Sequence, residues 1–392
     1  MNGPSRIALG TLGNAGLFLL ALAAQPAAAG AQPAQAEQVR APIALLSDLG
    51  SGRVLIARDV HRRFMPASLT KIMTAYVAFE LMQEGKLQPG QRFVVSDDAF
   101  RKWANVGSTM FLSRGSTPTV DELLGGIMTV SANDGCIVLA EGIDGSTARF
   151  VSRMNATARK LGMKDSHFGS PNGWPDQGAT YTTAADLATL AAAMMRRHPL
   201  LYRHYVGHQS MTYNGITQPN HVPLFGVVVG ADGLKTGFTN ESGYGLVGSA
   251  LRNGRRLLVV VAGSDTPRQR KDEARDLLEW GFARWSDASV APADKVIGSA
   301  RVQGGAARSV DLVAPQSYFL TVRRGEPLDH TLAIRYSGPL SAPIGKGQPI
   351  ADLVIRAPGQ PPHLFPLVAA VDVPVAGFWA RLRDGLLGLI GL

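Results

Sequence analysis

The chain has 392 residues, 45% of them apolar, a formal net charge of +9 and one cysteine. That length allows two or three domains with a sizeable core, and the single Cys136 excludes an internal disulfide framework. The basic balance suits an anionic partner, yet no Arg/Lys-rich stripe interleaved with aromatics is present, which argues against nucleic acid.

In chain order, residues 1–31 read as a secretory leader. Arg6 precedes an apolar run over 17–24, and small residues follow through Ala31, with cleavage expected near 29–34. The run is shorter than the roughly 20 residues that span a bilayer. Residues 31–39 read as a flexible mature terminus. From Ile43 an apolar stretch, a Gly-rich loop and Val54-Leu-Ile predict a β-hairpin. Pro66 opens a helix with Met73, Tyr76, Val77 and Leu81 along one side. Residues 121–142 read as two helices broken at Ser-Ala-Asn-Asp-Gly, and Cys136 on the second reads as a buried, inert thiol. Residues 169–180 form a loop rich in Gly, Pro, Asn and Asp. A helix is predicted over 183–198, neighbouring antiparallel strands over 231–250 and 256–262, and a further helix over 270–285. Strands early and late with helices between them make 40–287 an α+β domain around one sheet.

After Trp285 the composition shifts. Residues 290–372 carry many Pro and Gly and short β-branched runs, such as Tyr318-Phe-Leu-Thr-Val, and read as a small all-β domain. Residues 376–392 read as a short amphipathic helix, with Phe378, Trp379, Leu382, Leu386 and Leu389 on one face and Arg381 and Asp384 opposite. It is too short to span a bilayer and fits a membrane interface. The plain alternative is a terminal helix docked on the β-domain.

Only nine of the 39 basic residues are Lys, so the places that keep one stand out. In Ser68-Leu-Thr-Lys71 a hydroxyl and an amine lie one helical turn apart on one face. A serine hydroxyl is a poor nucleophile until a base takes its proton. A desolvated Lys can be neutral near pH 7, whereas Arg stays charged. Ser131 and Asn133 offer a second hydroxyl for proton transfer and an amide for a substrate carbonyl. Lys235 and Thr236, on a predicted strand, offer a cation and a hydroxyl for a carboxylate, and Gly237 lets a ligand backbone approach. Each pattern alone has a plain reading: a solvated Lys near a helix start, a strand-end Gly, or a turn such as Ser170-Pro171-Asn172, which shares the Ser-x-Asn spacing.

Together and in this order they form the Ser-x-x-Lys, Ser-x-Asn and Lys-Thr-Gly signature of serine β-lactamases and penicillin-binding proteins. The chain resembles the low-molecular-weight penicillin-binding proteins, specifically the D-alanyl-D-alanine carboxypeptidases, through PASLTKIMTAY, TVSANDG, GLKTGFTNESGYGLV and LLEWGF. Its β-rich domain and C-terminal helix also match that family's architecture. The resemblance implies a penicillin-binding, serine β-lactamase-like fold for the first domain and a reaction without metal or cofactor. It implies Ser68 as nucleophile, Lys71 as its base, Ser131 as proton relay to the leaving amine and Asn133 as a peptide-binding amide. Lys235 would add positive potential, Thr236 would hold the terminal carboxylate, and the N–H groups of Ser68 and Phe238 would form an oxyanion hole. Arg270 matches the family's carboxylate-binding Arg by its distance after Lys-Thr-Gly, with Arg268 close by. Phe238 stands where some relatives have His, so only a backbone role carries over. The implied partners are peptidoglycan stem peptides, β-lactams as inhibitors, and a membrane surface met through the C-terminal helix. The implied location is the periplasm, on the outer face of the inner membrane.

Three readings compete. A class A β-lactamase would use a Glu-activated water, but the loop after Phe168 offers Asp176 and no Glu, and Ala132 breaks the Ser-Asp-Asn form. A D,D-endopeptidase that cuts cross-links shares the chemistry and differs in the leaving group. A non-catalytic wall-binding scaffold would need no intact motifs. His204 and His208 have i,i+4 spacing but no evident third metal ligand.

Overall fold

A computed structural model describes residues 39–357 and 362–377. The leader read over 1–31, and all but the first two positions of the helix read over 376–392, lie outside the described residues. The described chain divides into two units between Arg284 and Trp285.

The first unit begins with β1 (Ile43–Asp48) and β2 (Val54–Arg58). Helices α1 (Lys71–Gln83), α2 (Asp97–Trp103), α3 (Val120–Thr129), α4 (Asn133–Asp144), α5 (Thr147–Leu161), α6 (Ala184–Arg197) and α7 (Pro199–Tyr205) follow. A hairpin of β3 (Ser210–Tyr213) and β4 (Ile216–Pro219) leads to β5 (Ala231–Thr239), β6 (Gly243–Arg252), β7 (Arg255–Ser264) and α8 (Pro267–Arg284). One antiparallel sheet has the order β2-β1-β7-β6-β5, which leaves β5 at an edge. This is an α+β unit with the sheet at its centre.

The run Leu-Leu-Val-Val-Val-Ala in β7 is buried on both faces, as an unbroken apolar strand must be. Leu258, Val260 and Ala262 join the core cluster of α1 and α6, while Leu257 lies against α8. Helix α1 departs from the one-sided reading. Ile72 through Phe79 are all buried, so it runs through the middle of the helical layer with neighbours all round.

Two other expectations shift. The stretch 231–250 is two strands, β5 and β6, whose turn is closed by Thr239 Oγ1 accepting from Ser242 N at 3.2 Å. The helix expected over 270–285 starts at Pro267, where Thr266 and Gln269 exchange side chain-to-backbone bonds of 3.1 Å in a capping box, and Trp285 opens a strand instead. The sequence reading missed α2, α5, α7 and the β3–β4 hairpin. In α5 the buried residues Phe150, Met154 and Ala158 repeat at i,i+4, so the helical signal was present in the sequence and was passed over.

The second unit is β-rich: β8 (Trp285–Ala291), β9 (Val296–Gln303), β10 (Ser309–Val313), β11 (Tyr318–Arg323), β12 (Thr331–Arg335), β13 (Leu340–Ser341), β14 (Pro349–Arg356) and β15 (His363–Ala369). Six strands order as β12-β14-β15-β10-β9-β13, and β11 pairs with β8. Its core follows the period of two: Val310 and Leu312, Leu353 and Ile355, Leu367 and Ala369 point inward.

Candidate active site

The nucleophile candidate sits on a strained approach. Ala67 has φ of +49°, and Ala67–Thr70 form one 3-10 turn ahead of α1. Ser68 therefore lies on that turn, not on α1 as the helical i,i+3 reading placed it, and Lys71 is the first residue of α1. In a 3-10 turn residues i and i+3 eclipse, and Lys71 Nζ comes to 2.8 Å from Ser68 Oγ.

Lys71 is fully buried. Its Nζ also donates to Asn133 Oδ1 at 2.8 Å and to the Asn172 carbonyl at 2.7 Å. Burial pulls its pKa down to about 8. A neutral amine has two N–H groups and one lone pair. Two fixed amide oxygens take the N–H groups and leave the lone pair for the Ser68 hydroxyl.

Ser131, with φ of +63°, joins α3 to α4 and is buried. Asn133 opens α4; its N–H donates to Ser108 O at 2.8 Å and its Nδ2 to Val106 O at 2.9 Å. The neighbouring Asp134 carboxylate accepts from Met110 N and Leu112 N, each at 3.1 Å, which ties the 106–112 loop to the start of α4. The thiol of Cys136, one turn on, is pushed up to about 12 by burial, so it is inert.

Edge strand β5 supplies the opposite wall. Lys235 is buried, and its Nζ donates to Thr236 O at 3.1 Å. Burial first, and the nearby Lys71 second, push its pKa well below the ordinary range. Gly237 lines the cleft and also meets the Ser68 turn. A Cβ there would stand 2.7 Å from Pro66 O and 3.0 Å from Leu69 Cγ, so its bareness lets β5 pack on the Ser68 turn. Phe238 is exposed and stacks on Tyr244, directly across the β5–β6 ladder, at 4.1 Å.

A cleft of about 430 Å³ brings Ser68, Ser131, Asn133, Thr236, Gly237, Phe238 and Arg270 together, with Lys71 and Lys235 bonded into its wall. The two arginines separate cleanly. Arg270 lines the cleft, is 9% exposed, lies 5.6 Å from the Tyr244 ring and has no hydrogen-bond partner on Nε among the described residues. Arg268 is solvent-exposed and pairs with Asp272 at 3.5 Å.

The sequence reading missed part of the site. The Ser170-Pro171-Asn172 segment is the turn it resembled, yet its Asn172 carbonyl holds Lys71. Gly173, at φ +73°, lies so close to the Ser68 turn that a Cβ would meet Ala67 O at 1.9 Å. Trp174 and His221 also line the cleft. His221 N donates to Thr129 O at 3.2 Å, and burial against the wall, aided by Lys235, Lys71 and Arg270, holds its ring neutral with a pKa of about 4. The Gly-Pro-Asn-Asp composition of the loop was the available signal, but not what it faced. Asp176 spends both carboxylate oxygens on Thr180, at 2.9 and 2.5 Å. His204 bonds Asp121 at 2.9 Å, and among the described residues no cluster of three His, Cys, Asp or Glu could hold a metal.

Residues 29–266 match the sequence model of a family described as D-alanyl-D-alanine carboxypeptidase, and residues 285–375 match that of the penicillin-binding protein 5 C-terminal domain. The chain is 34% identical over 357 residues to D-alanyl-D-alanine carboxypeptidase DacD of Escherichia coli, covering 89% of this chain and 91% of that protein. Among solved structures, penicillin-binding protein 5 from Haemophilus influenzae matches with a TM-score of 0.74 at 34% identity, over 86% of this chain and 98% of that one. Penicillin-binding protein D2 from Listeria monocytogenes, in its ampicillin-bound form, matches with a TM-score of 0.54 at 29% identity, over 62% of this chain and 97% of that one.

Proposed function

The chain belongs to the D-alanyl-D-alanine carboxypeptidase family, and from that premise we propose how its cleft removes the terminal D-Ala from peptidoglycan stem pentapeptides. The enzyme is a serine-type carboxypeptidase of the penicillin-binding class. The observation that carries the mechanism is Lys71 Nζ, buried, 2.8 Å from Ser68 Oγ and with its pKa drawn down to about 8.

In the acylation step Lys71 accepts the Ser68 proton as Oγ attacks the carbonyl between the two D-Ala residues. The N–H groups of Ser68 and Phe238 receive the oxyanion, a contribution of several kcal/mol in such sites. The C–N bond then breaks, and the Ser131 hydroxyl passes a proton to the departing D-Ala amine. Thr236 and Arg270 hold the terminal carboxylate; the unpartnered Nε of Arg270 supports that role. Asn133 has one Nδ2 hydrogen left for the stem peptide. Water hydrolyses the Ser68 ester with Lys71 again as base. Lys235 keeps positive potential behind Thr236. A β-lactam acylates the same Ser68 because its amide stands in for the scissile bond. No step calls for a metal or cofactor.

The edge position of β5 supports a substrate strand lying along it, with its carboxylate end at Thr236 and its acyl half running past Phe238. We place the protein outside the cytoplasm, peripheral on the outer face of the inner membrane. The leader and the terminal amphipathic helix read from the sequence support this; among the described residues no helix is long and apolar enough to cross a membrane.

The test is to incubate mature protein with pentapeptide-rich peptidoglycan and read the products by mass spectrometry. Loss of one D-Ala per stem with cross-links intact is expected. Cleaved cross-links would move the protein to the endopeptidases, and an unchanged polymer would sink the catalytic reading.

A further inference from the structure

Asp134 is a buried acid beside the catalytic groups, and no step of the reaction uses it. It follows Asn133 in the first turn of α4 and is 5% exposed. Among the described residues its hydrogen bonds all run to backbone. Oδ1 accepts from Met110 N at 3.1 Å and from Gly135 N at 2.9 Å, and Oδ2 accepts from Leu112 N at 3.1 Å. Phe111, between the two loop donors, has φ of +59°. Left-handed backbone is unfavourable for a phenylalanine. Here it aims the N–H groups on either side at one carboxylate. A buried carboxylate without those donors would be left unpaired, so the turn and the acid hold each other.

The loop fixed in this way grips Asn133. Val106 O accepts from Asn133 Nδ2 at 2.9 Å, and Ser108 O accepts from Asn133 N at 2.8 Å. Gly107, between them at φ +64°, leaves no room for a side chain, since a Cβ would stand 2.8 Å from Nδ2. With Nδ2 committed to Val106, the amide turns Oδ1 to Lys71, whose Nζ donates to it at 2.8 Å. An amide flipped end for end would instead present N–H to Lys71 and take up the lone pair that Ser68 needs.

We propose that Asp134 is a positioning residue for catalysis: by clamping residues 106–112 it locks the Asn133 amide in the orientation that leaves the Lys71 lone pair free for Ser68. The role rests on the carboxypeptidase reading and extends it to a side chain that does not line the cleft. Charge gives the role a signature. Around Lys71, α4 presents Asp134 and Cys136, and β5 presents Lys235. Burial raises the Asp134 pKa and its backbone donors pull it back, while the Cys136 thiol stays neutral up to about 12. Asp134 is therefore the negative charge that favours the Lys71 ammonium. Removing that charge, or turning Asn133 Nδ2 toward Lys71, moves the Lys71 pKa down.

The test is Asp134→Asn, which keeps the shape but has one acceptor oxygen for two loop donors. Labelled penicillin at saturation counts the active sites, so that rates refer to folded enzyme. Release of D-Ala from a short acyl-D-Ala-D-Ala peptide should fall about 100-fold, chiefly in kcat. The rise of log(kcat/KM) with pH should move to the acid side of about 8. An equal loss at every pH with the midpoint unmoved would make Asp134 merely structural and overturn the proposal, as would a wild-type rate per active site. If the variant does not fold, the wild-type protein decides. Hydrogen exchange should protect the Met110 and Leu112 amides as strongly as the centre of α4, and fast exchange there would overturn the clamp. A wild-type protein that released no D-Ala yet was acylated by penicillin would sink the carboxypeptidase reading alone, and the rate of penicillin acylation would then carry the same pH comparison.

Discussion

The two units of this molecule keep different things away from water. Around the cleft of the first, Lys71 and Lys235 are buried, Arg270 is nearly so, and Ala67 and Ser131 hold left-handed backbone. In the β-rich unit, among the described residues, Thr321 is the buried polar side chain, and the core is made by alternation along β10, β14 and β15. Burying an ammonium costs several kcal/mol even after relaxation. At Lys71 the outcome is an amine able to shed its proton near neutral pH, as a general base requires. The β-rich unit shows the plainer arrangement, in which burial follows apolar alternation along the strands.

Replacing the hydroxyl at the centre of the cleft should have the largest effect. Ser68→Ala is expected to lower D-Ala release by at least about 10⁴-fold while the thermal midpoint stays within a few degrees. Intact-protein mass spectrometry should find no penicillin adduct. Persistence of either activity would break the contrast drawn above.

The lysine comes next. Because the base is the neutral amine, log(kcat/KM) of the wild-type enzyme should climb with pH toward about 8 and then level off. Lys71→Arg keeps a cation that cannot be deprotonated. It should cost about 10³-fold and abolish the rise through that pH range. A rise that survived in the arginine variant would assign it to another group.

A cavity in the other unit sharpens the comparison from the opposite side. Leu320 is fully buried, and Leu320→Ala is expected to cost about 2–5 kcal/mol of stability. Chemical denaturation would measure it. Release of D-Ala from a short soluble peptide, well below the transition, should stay within about twofold of wild type.

The smallest contrast is between two arginines two positions apart on α8. Arg270→Gln should raise KM about 10–100-fold through the lost carboxylate contact. Arg268→Gln removes an exposed pair with Asp272 and should change KM by less than about twofold. Equal effects would mean the carboxylate sits elsewhere.

Much of this was legible locally. Residue type and short spacing identify Ser68 with Lys71, Ser131 with Asn133, and Lys235 with Thr236, because a hydroxyl, an amine or an amide carries its chemistry wherever the fold places it. The strand at β7, the helices either side of Ser131, and the alternation of the β-rich unit follow from apolar periodicity. Long-range contact decided the rest. Helix α1 has apolar residues on every side, so its pattern could not say which face is covered. Arg268 and Arg270 are equivalent in sequence, and the helix phase of α8 turned one to the cleft and the other to solvent. The Asn172 carbonyl reaches Lys71 across 101 residues, and a backbone oxygen has no signature in a side-chain code. Likewise, no property of Gly237 in isolation shows that its missing Cβ makes room for Pro66 and Leu69. The sequence by itself determined which groups are chemically competent. Only the tertiary structure decided which of them are desolvated, what holds them, and what stands beside them, because burial and approach depend on segments far apart in the chain.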